Sequence, residues 1–85
     1  MTVADLLQQS RVAHTAYRLQ QHDARTAKRK LQPSAALQEL MATALHGREQ
    51  AHTLDPDHRD PAWGADTASH ASLVAFYRQQ LGMSQ

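Results

Sequence analysis

The six histidines and eight carboxylates carry most of the chemistry this 85-residue chain could offer. Cysteine is absent, which excludes a thiol nucleophile, a disulfide framework and a zinc finger. Glu49-Gln50-Ala51-His52 has the Glu-x-x-His spacing that puts two side chains on adjacent helical turns. Ferritin-like carboxylate sites use that spacing twice, with further glutamates; here it occurs once. Asp66 and His70, four apart, could share a helical face. His14, His52 and His70 each lie on or near the apolar face of a different predicted helix. Converging, they would form a three-nitrogen site for zinc or another divalent metal, with an open position able to activate water. Spacing alone does not establish convergence. A histidine at the edge of an apolar stripe is ordinarily a half-buried amphipathic side chain bonded to a nearby acid. The expectation is therefore no metal and no cofactor, with His14, Glu49, His52 and His70 as the candidate ligands. Asp55, Asp57, His58 and Asp60 lack the ligand order and closing glutamate of an EF-hand loop. Capping and turn formation account for them.

Other catalytic arrangements are missing. Gly47, Gly64 and Gly82 lie too far apart to form a phosphate-binding loop, and no serine sits in a nucleophile elbow. Ser69 and His70 are adjacent, so on a helix they point apart. A chain this short rarely builds a deep substrate pocket alone. The expectation is a protein that is not an enzyme, with no small-molecule substrate.

Three helices must position these residues. Thr2 can cap the first, with Asp5 three residues on. Val3, Leu6, Leu7, Ser10, Ala13, Tyr17, Ala24 and Leu31 repeat at helical spacing. The predicted span is 3–31, with Asp23 the best place for a kink or stop. Uninterrupted, that helix would be about 43 Å long, longer than its neighbours could cover. Val12, Ala16 and Leu19 make a second, narrower apolar patch on its opposite side. Pro33 or Ser34 can start the second helix, 34–54, whose stripe is Leu37, Leu40, Met41, Ala44, Arg48 and Ala51, bordered by Leu45. Gly47 inside it costs about 1 kcal/mol relative to alanine unless another backbone comes close.

The stretch from His52 to Trp63 holds two prolines and the only tryptophan. Proline stops an arriving helix, so this is a corner that carries Trp63 towards the core. Ala44, Ala51 and Leu54-Asp55-Pro56 resemble the end of a tetratricopeptide repeat. The resemblance covers only those positions and lacks the aromatic and glycine positions of that repeat's first helix. Asp60-Pro61 reads as the start of the third helix, 61–81, with Asp66 as an alternative start. Its stripe is His70, Val74, Tyr77 and Leu81, widened by Leu73 and Phe76, and Gly82 ends it. The expected fold is all-α: one domain over 1–85, a small antiparallel three-helix bundle with a long first helix and a proline-rich corner, completed by dimerisation.

Charge is segregated along the chain although the net charge is only +1. Between Leu6 and Gln38, Arg11, Arg18, Arg25, Lys28, Arg29 and Lys30 face Asp23 alone, a net of +5. Between Glu39 and Asp66 six acids face Arg48 and Arg59, a net of −4. Opposite blocks attract, so they neutralise each other within one chain, pair between chains, or leave the basic stripe to meet nucleic-acid phosphates. The leading expectation is an oligomeric protein-interaction module, an adaptor or regulator. Its contacts would be Arg11, Val12, Arg18, Leu19, Arg25, Lys28, Arg29 and Lys30. A nucleic-acid-binding accessory protein using the same basic face is the alternative, and a three-histidine metal-binding protein the second alternative. No apolar run approaches the ~18 residues of a membrane span, and the start lacks a signal-peptide pattern. A cytoplasmic location is expected. The excess of arginine over lysine points to a bacterial or phage genome.

Overall fold

The structure, a computed structural model, describes residues 1–28, 34–66 and 68–82. The expectations placed on Arg29, Lys30, Leu31 and Pro33 lie outside those residues. Among the described residues there are three α-helices: α1 (Val3–Thr26), α2 (Ala35–Leu54) and α3 (His70–Gln80). A short 3₁₀ turn, Pro61–Ala65, sits between α2 and α3. No strand occurs among the described residues.

α1 begins with a capping box. Thr2 Oγ1 accepts the Asp5 N–H at 3.1 Å, and Asp5 Oδ2 accepts the Thr2 N–H at 3.2 Å. Two of the helix's orphan donors are thereby paired. The helix runs through Asp23 and ends at Thr26, five residues short of the sequence expectation; Lys28 then turns left-handed at φ +54°. Its 24 residues span about 36 Å at 1.5 Å each. Ser34 caps α2 by accepting the Leu37 N–H at 3.1 Å.

The expected third helix divides in two. Asp60 caps only the 3₁₀ turn that carries Trp63, and α3 starts at His70 behind Ser69, whose Oγ accepts the Ser72 N–H. Asp66 does not start α3: its backbone closes the 3₁₀ turn and its carboxylate is taken by Arg48 and Arg11. Gly82 leaves α3 at φ +71°, the left-handed conformation glycine adopts without a steric penalty.

α2 runs antiparallel to α1, so the core falls into two layers. Leu6, Leu7 and Ala51 pack with Trp63 at one end. Ala13, Tyr17, Leu37, Met41, Ala44, Leu45, Leu73 and Tyr77 pack at the other. Between the layers the helices cross very closely. A Cβ on Gly47 would lie 2.8 Å from the backbone oxygen of Leu6 and 3.1 Å from Ser10 Cβ. At the same crossing the buried Ser10 Oγ donates to Ala44 O at 2.6 Å. That close approach is the reason a helix interior tolerates glycine here. α3 lies along α2. Among the described residues none of its Cα atoms comes within 8 Å of α1. It reaches α1 through aromatic rings instead, with Tyr17 edge-on to both Phe76 and Tyr77.

No helix among the described residues is long and apolar enough to cross a membrane.

Candidate functional site

The corner between α2 and α3 brings together chemistry that is scattered along the sequence. Asp55, the last cap of α2, closes it. One carboxylate oxygen accepts the Arg59 N–H at 3.1 Å, and the other accepts the Asp60 N–H at 2.9 Å and the Trp63 indole N–H at 2.8 Å. The hydrogen bonds from the Asp60 and Arg59 backbones, with Trp63's, hold this carboxyl below the usual carboxylate range. The tight loop forces His58 into the left-handed region at φ +54°, which costs a non-glycine residue about 1 kcal/mol. In that conformation the His58 ring stacks on the Trp63 indole, centroids 3.6 Å apart and planes within 5°.

His58 faces two further histidines from different elements. His52, exposed in the last turn of α2, places Nδ1 2.8 Å from His58 Nε2. His70, the first residue of α3, stacks on His52 with centroids 5.3 Å apart and meets His58 edge-on at 5.0 Å. One ring nitrogen from each of the three lies within 4.8 Å of the others. The 2.8 Å contact requires one ring to donate and the other to accept. His70 Nδ1 is buried and has no hydrogen-bond partner among the described residues. Burial, with His58, Arg48 and His52 close around it, pushes the pKa of His70 down. His58, Trp63 and His70 also line an open cleft of about 370 Å³, floored by Gly64, Ala68 and Ser69.

Of the four candidate ligands, the fold unites only His52 and His70. His14 is drawn away by Tyr77, whose hydroxyl bonds its Nδ1. Burial raises the Tyr77 phenol to about 12 and lowers His14, so the bond joins a neutral phenol to a neutral imidazole, its direction set by the His14 tautomer. Glu49 pairs with Arg78 across the α2–α3 surface. His58, which completes the cluster, stands in sequence among aspartates that read as turn formers. Its recruitment depends on a backbone angle set by Asp55, and no periodicity reports that angle.

A second polar centre holds the corner onto the hairpin. Arg48 is only 2% exposed. It donates in a fork to Asp66, Nη1 to Oδ2 at 3.0 Å and Nη2 to Oδ1 at 2.9 Å. Arg11 of α1 donates Nε to the same carboxylate at 2.9 Å and Nη2 to the carbonyl of Ala62. Burial pushes Asp66 up, but the bonds and charges of Arg48 and Arg11 outweigh it and leave the group below its ordinary range. One carboxylate thus ties both helices of the hairpin to the link that follows the 3₁₀ turn. Part of the charge segregation is resolved within the chain, and Arg11 is turned inward by it.

The remaining described interaction candidates fall on two other faces of α1 and in the turn that follows it. Arg18, Arg25 and Lys28 are exposed. Val12 and Leu19, each 59% exposed, stand on the side turned away from α3. There α1 and α2 leave an apolar groove of about 760 Å³, whose floor includes Ala13, Ala16, Ala36 and Leu40. Gln8, Gln9, Glu39 and Thr43 form its polar rim.

Compared with family models, curated proteins and solved structures, the chain matches none of them.

Proposed function

We propose that this is a non-enzymatic helical interaction module, acting in the cytoplasm and docking through the open face of its α1–α2 hairpin. The observation that carries the reading is the apolar groove on that face. α3 and the 3₁₀ turn pack on the other side, so the hairpin is sheathed on one side and bare on the other. Val12 rises from the groove, and alanines along its floor permit close approach by another helix. The simplest occupant is the same face of a second copy. Two hairpins related by a two-fold axis would then build a four-helix core.

Sedimentation velocity over a wide concentration range tests this. The expected result is a reversible dimer that Val12→Glu converts to monomer without loss of helical circular dichroism. A strict monomer at every concentration would defeat self-association. A second reading is phosphate binding by Arg18 and Arg25, seven residues apart and both exposed on α1. Under that reading Arg18→Glu with Arg25→Glu abolishes salt-sensitive binding to nucleic acid and leaves the sedimentation profile unchanged. Binding that survives both charge reversals removes it.

A further inference from the structure

The geometry points to a divalent transition-metal site at the corner, with His52, His58 and His70 as its three protein ligands. Each ligand comes from a different element: the end of α2, the loop, and the start of α3. Convergence of this kind is what separates a metal site from histidines scattered along helical stripes.

Three observations support the assignment independently of the groove. The first is distance. Two nitrogens on one tetrahedral ion, each at about 2.05 Å, stand about 3.3 Å apart. The cluster brackets that value, from the 2.8 Å contact of His52 with His58 to an outer limit of 4.8 Å. The second is His70 Nδ1, a buried nitrogen without a partner among the described residues, in a ring that belongs to the cluster. Buried polar atoms are nearly always paired, and an exception asks for a missing ion or water. The third is the left-handed backbone at His58. It brings the ring to the other two, while Trp63 stacks on its face and Asp55 fixes Trp63 in turn. Strained backbone of this sort concentrates at ligand-holding positions.

The donor set names the class of ion. Three neutral imidazoles with no carboxylate suit zinc, copper, nickel or cobalt, and select against magnesium and calcium, which want oxygen. With only three protein donors, a fourth position is left for water or a small ligand, and the cleft beside His58 and His70 has room for it. A bound ion would link the end of α2 to the start of α3 and so join the two elements that the corner separates.

The test uses the full chain without a histidine tag, dialysed against chelator and then into buffer. Zinc is titrated by calorimetry, and copper(II) by the emission of Trp63, the only tryptophan. The expected result is one zinc per chain and strong quenching by one equivalent of copper, because the indole stacks on a ligand ring. His52→Gln should weaken zinc binding by at least about tenfold. His52 is exposed, so the fold should survive the change, as circular dichroism will show. His58→Gln should do the same. His46→Gln, exposed on the same helix, should leave affinity unchanged. No saturation below about 1 mM zinc overturns the proposal, since a three-imidazole site should fill well below that concentration. Stoichiometric binding that survives both His52→Gln and His58→Gln overturns it equally, because it would place the ion elsewhere.

Discussion

Asp66→Asn should destabilise the protein far more than Arg48→Met, although both break the same pair. Asparagine keeps the shape of aspartate but removes the charge. Arg48, 2% exposed, is then left beside Arg11 with nothing to neutralise either. Removing one partner of a buried pair costs about 3–5 kcal/mol. The Asp66 side chain is itself 9% exposed, which places this case near the lower end, about 3 kcal/mol. A chain of 85 residues has about 4–13 kcal/mol in total. Arg48→Met leaves Asp66 its bond from Arg11 and fills the space of the arginine stem with apolar atoms. Its expected cost is about 1 kcal/mol, since Asp66 keeps its ion pair with Arg11 and no buried charge is left without a partner. In the Arg48→Met background, Asp66→Asn should cost about 1 kcal/mol, the worth of the partly buried Arg11 pair. The cycle then gives a coupling of about 2 kcal/mol between positions 48 and 66. Urea unfolding of the four proteins, followed by helical circular dichroism at a common slope, measures it. If the two single variants lose equal stability, or the coupling is near zero, the buried-charge argument fails.

Two further outcomes follow from the packing and the titrating groups. Gly47→Ala normally gains about 1 kcal/mol in a helix; here the new methyl meets Leu6 O at 2.8 Å and forces the crossing apart, a cost of about 1–3 kcal/mol. Net destabilisation is expected, read as a lower urea midpoint, and a stabilised variant would contradict the close crossing. Stability should also be dome-shaped in pH. His14 and His70 have lowered pKa values, so below about 6.5 the unfolded chain binds more protons than the folded one and stability falls with falling pH. Asp55 and Asp66, also lowered, add a second loss as pH falls through about 4. Tyr77, raised to about 12, removes stability as pH climbs above about 10. Urea midpoints at pH 3, 5, 8 and 11 check the shape, and a higher midpoint at pH 5 than at pH 8 would contradict it.

The sequence made the helices and most of the core legible, because apolar spacing reports burial directly. Leu6, Leu7, Ala13, Tyr17, Met41, Ala44 and Tyr77 are buried where periodicity places them. Thr2 and Ser34 cap as their residue types imply. Asp60-Pro61 was ambiguous: the same dipeptide opens a 3₁₀ turn as readily as an α-helix, and only the pull of Arg11 and Arg48 on Asp66 separates the two here. The histidine cluster was half legible. His52 and His70 stand at helix ends, where a stripe brings them near the corner. His58 enters through a left-handed turn, and His14 leaves because a phenol 63 residues away takes its ring nitrogen. Both are consequences of tertiary contact that local spacing does not record.

The thin attachment of α3 has a consequence for how the molecule breathes. Its 11 residues contribute only Leu73 and Tyr77 as fully buried side chains, while α1 and α2 interlock backbone to backbone. Structure with few buried contacts opens at a lower free energy than the whole molecule. The hairpin should therefore behave as the slowly exchanging unit and α3 as a leaf that lifts first, carrying His70 away from His52 and His58. Any event at the corner that joins those rings would raise the protection of α3 amides selectively, leaving the hairpin's exchange almost unchanged.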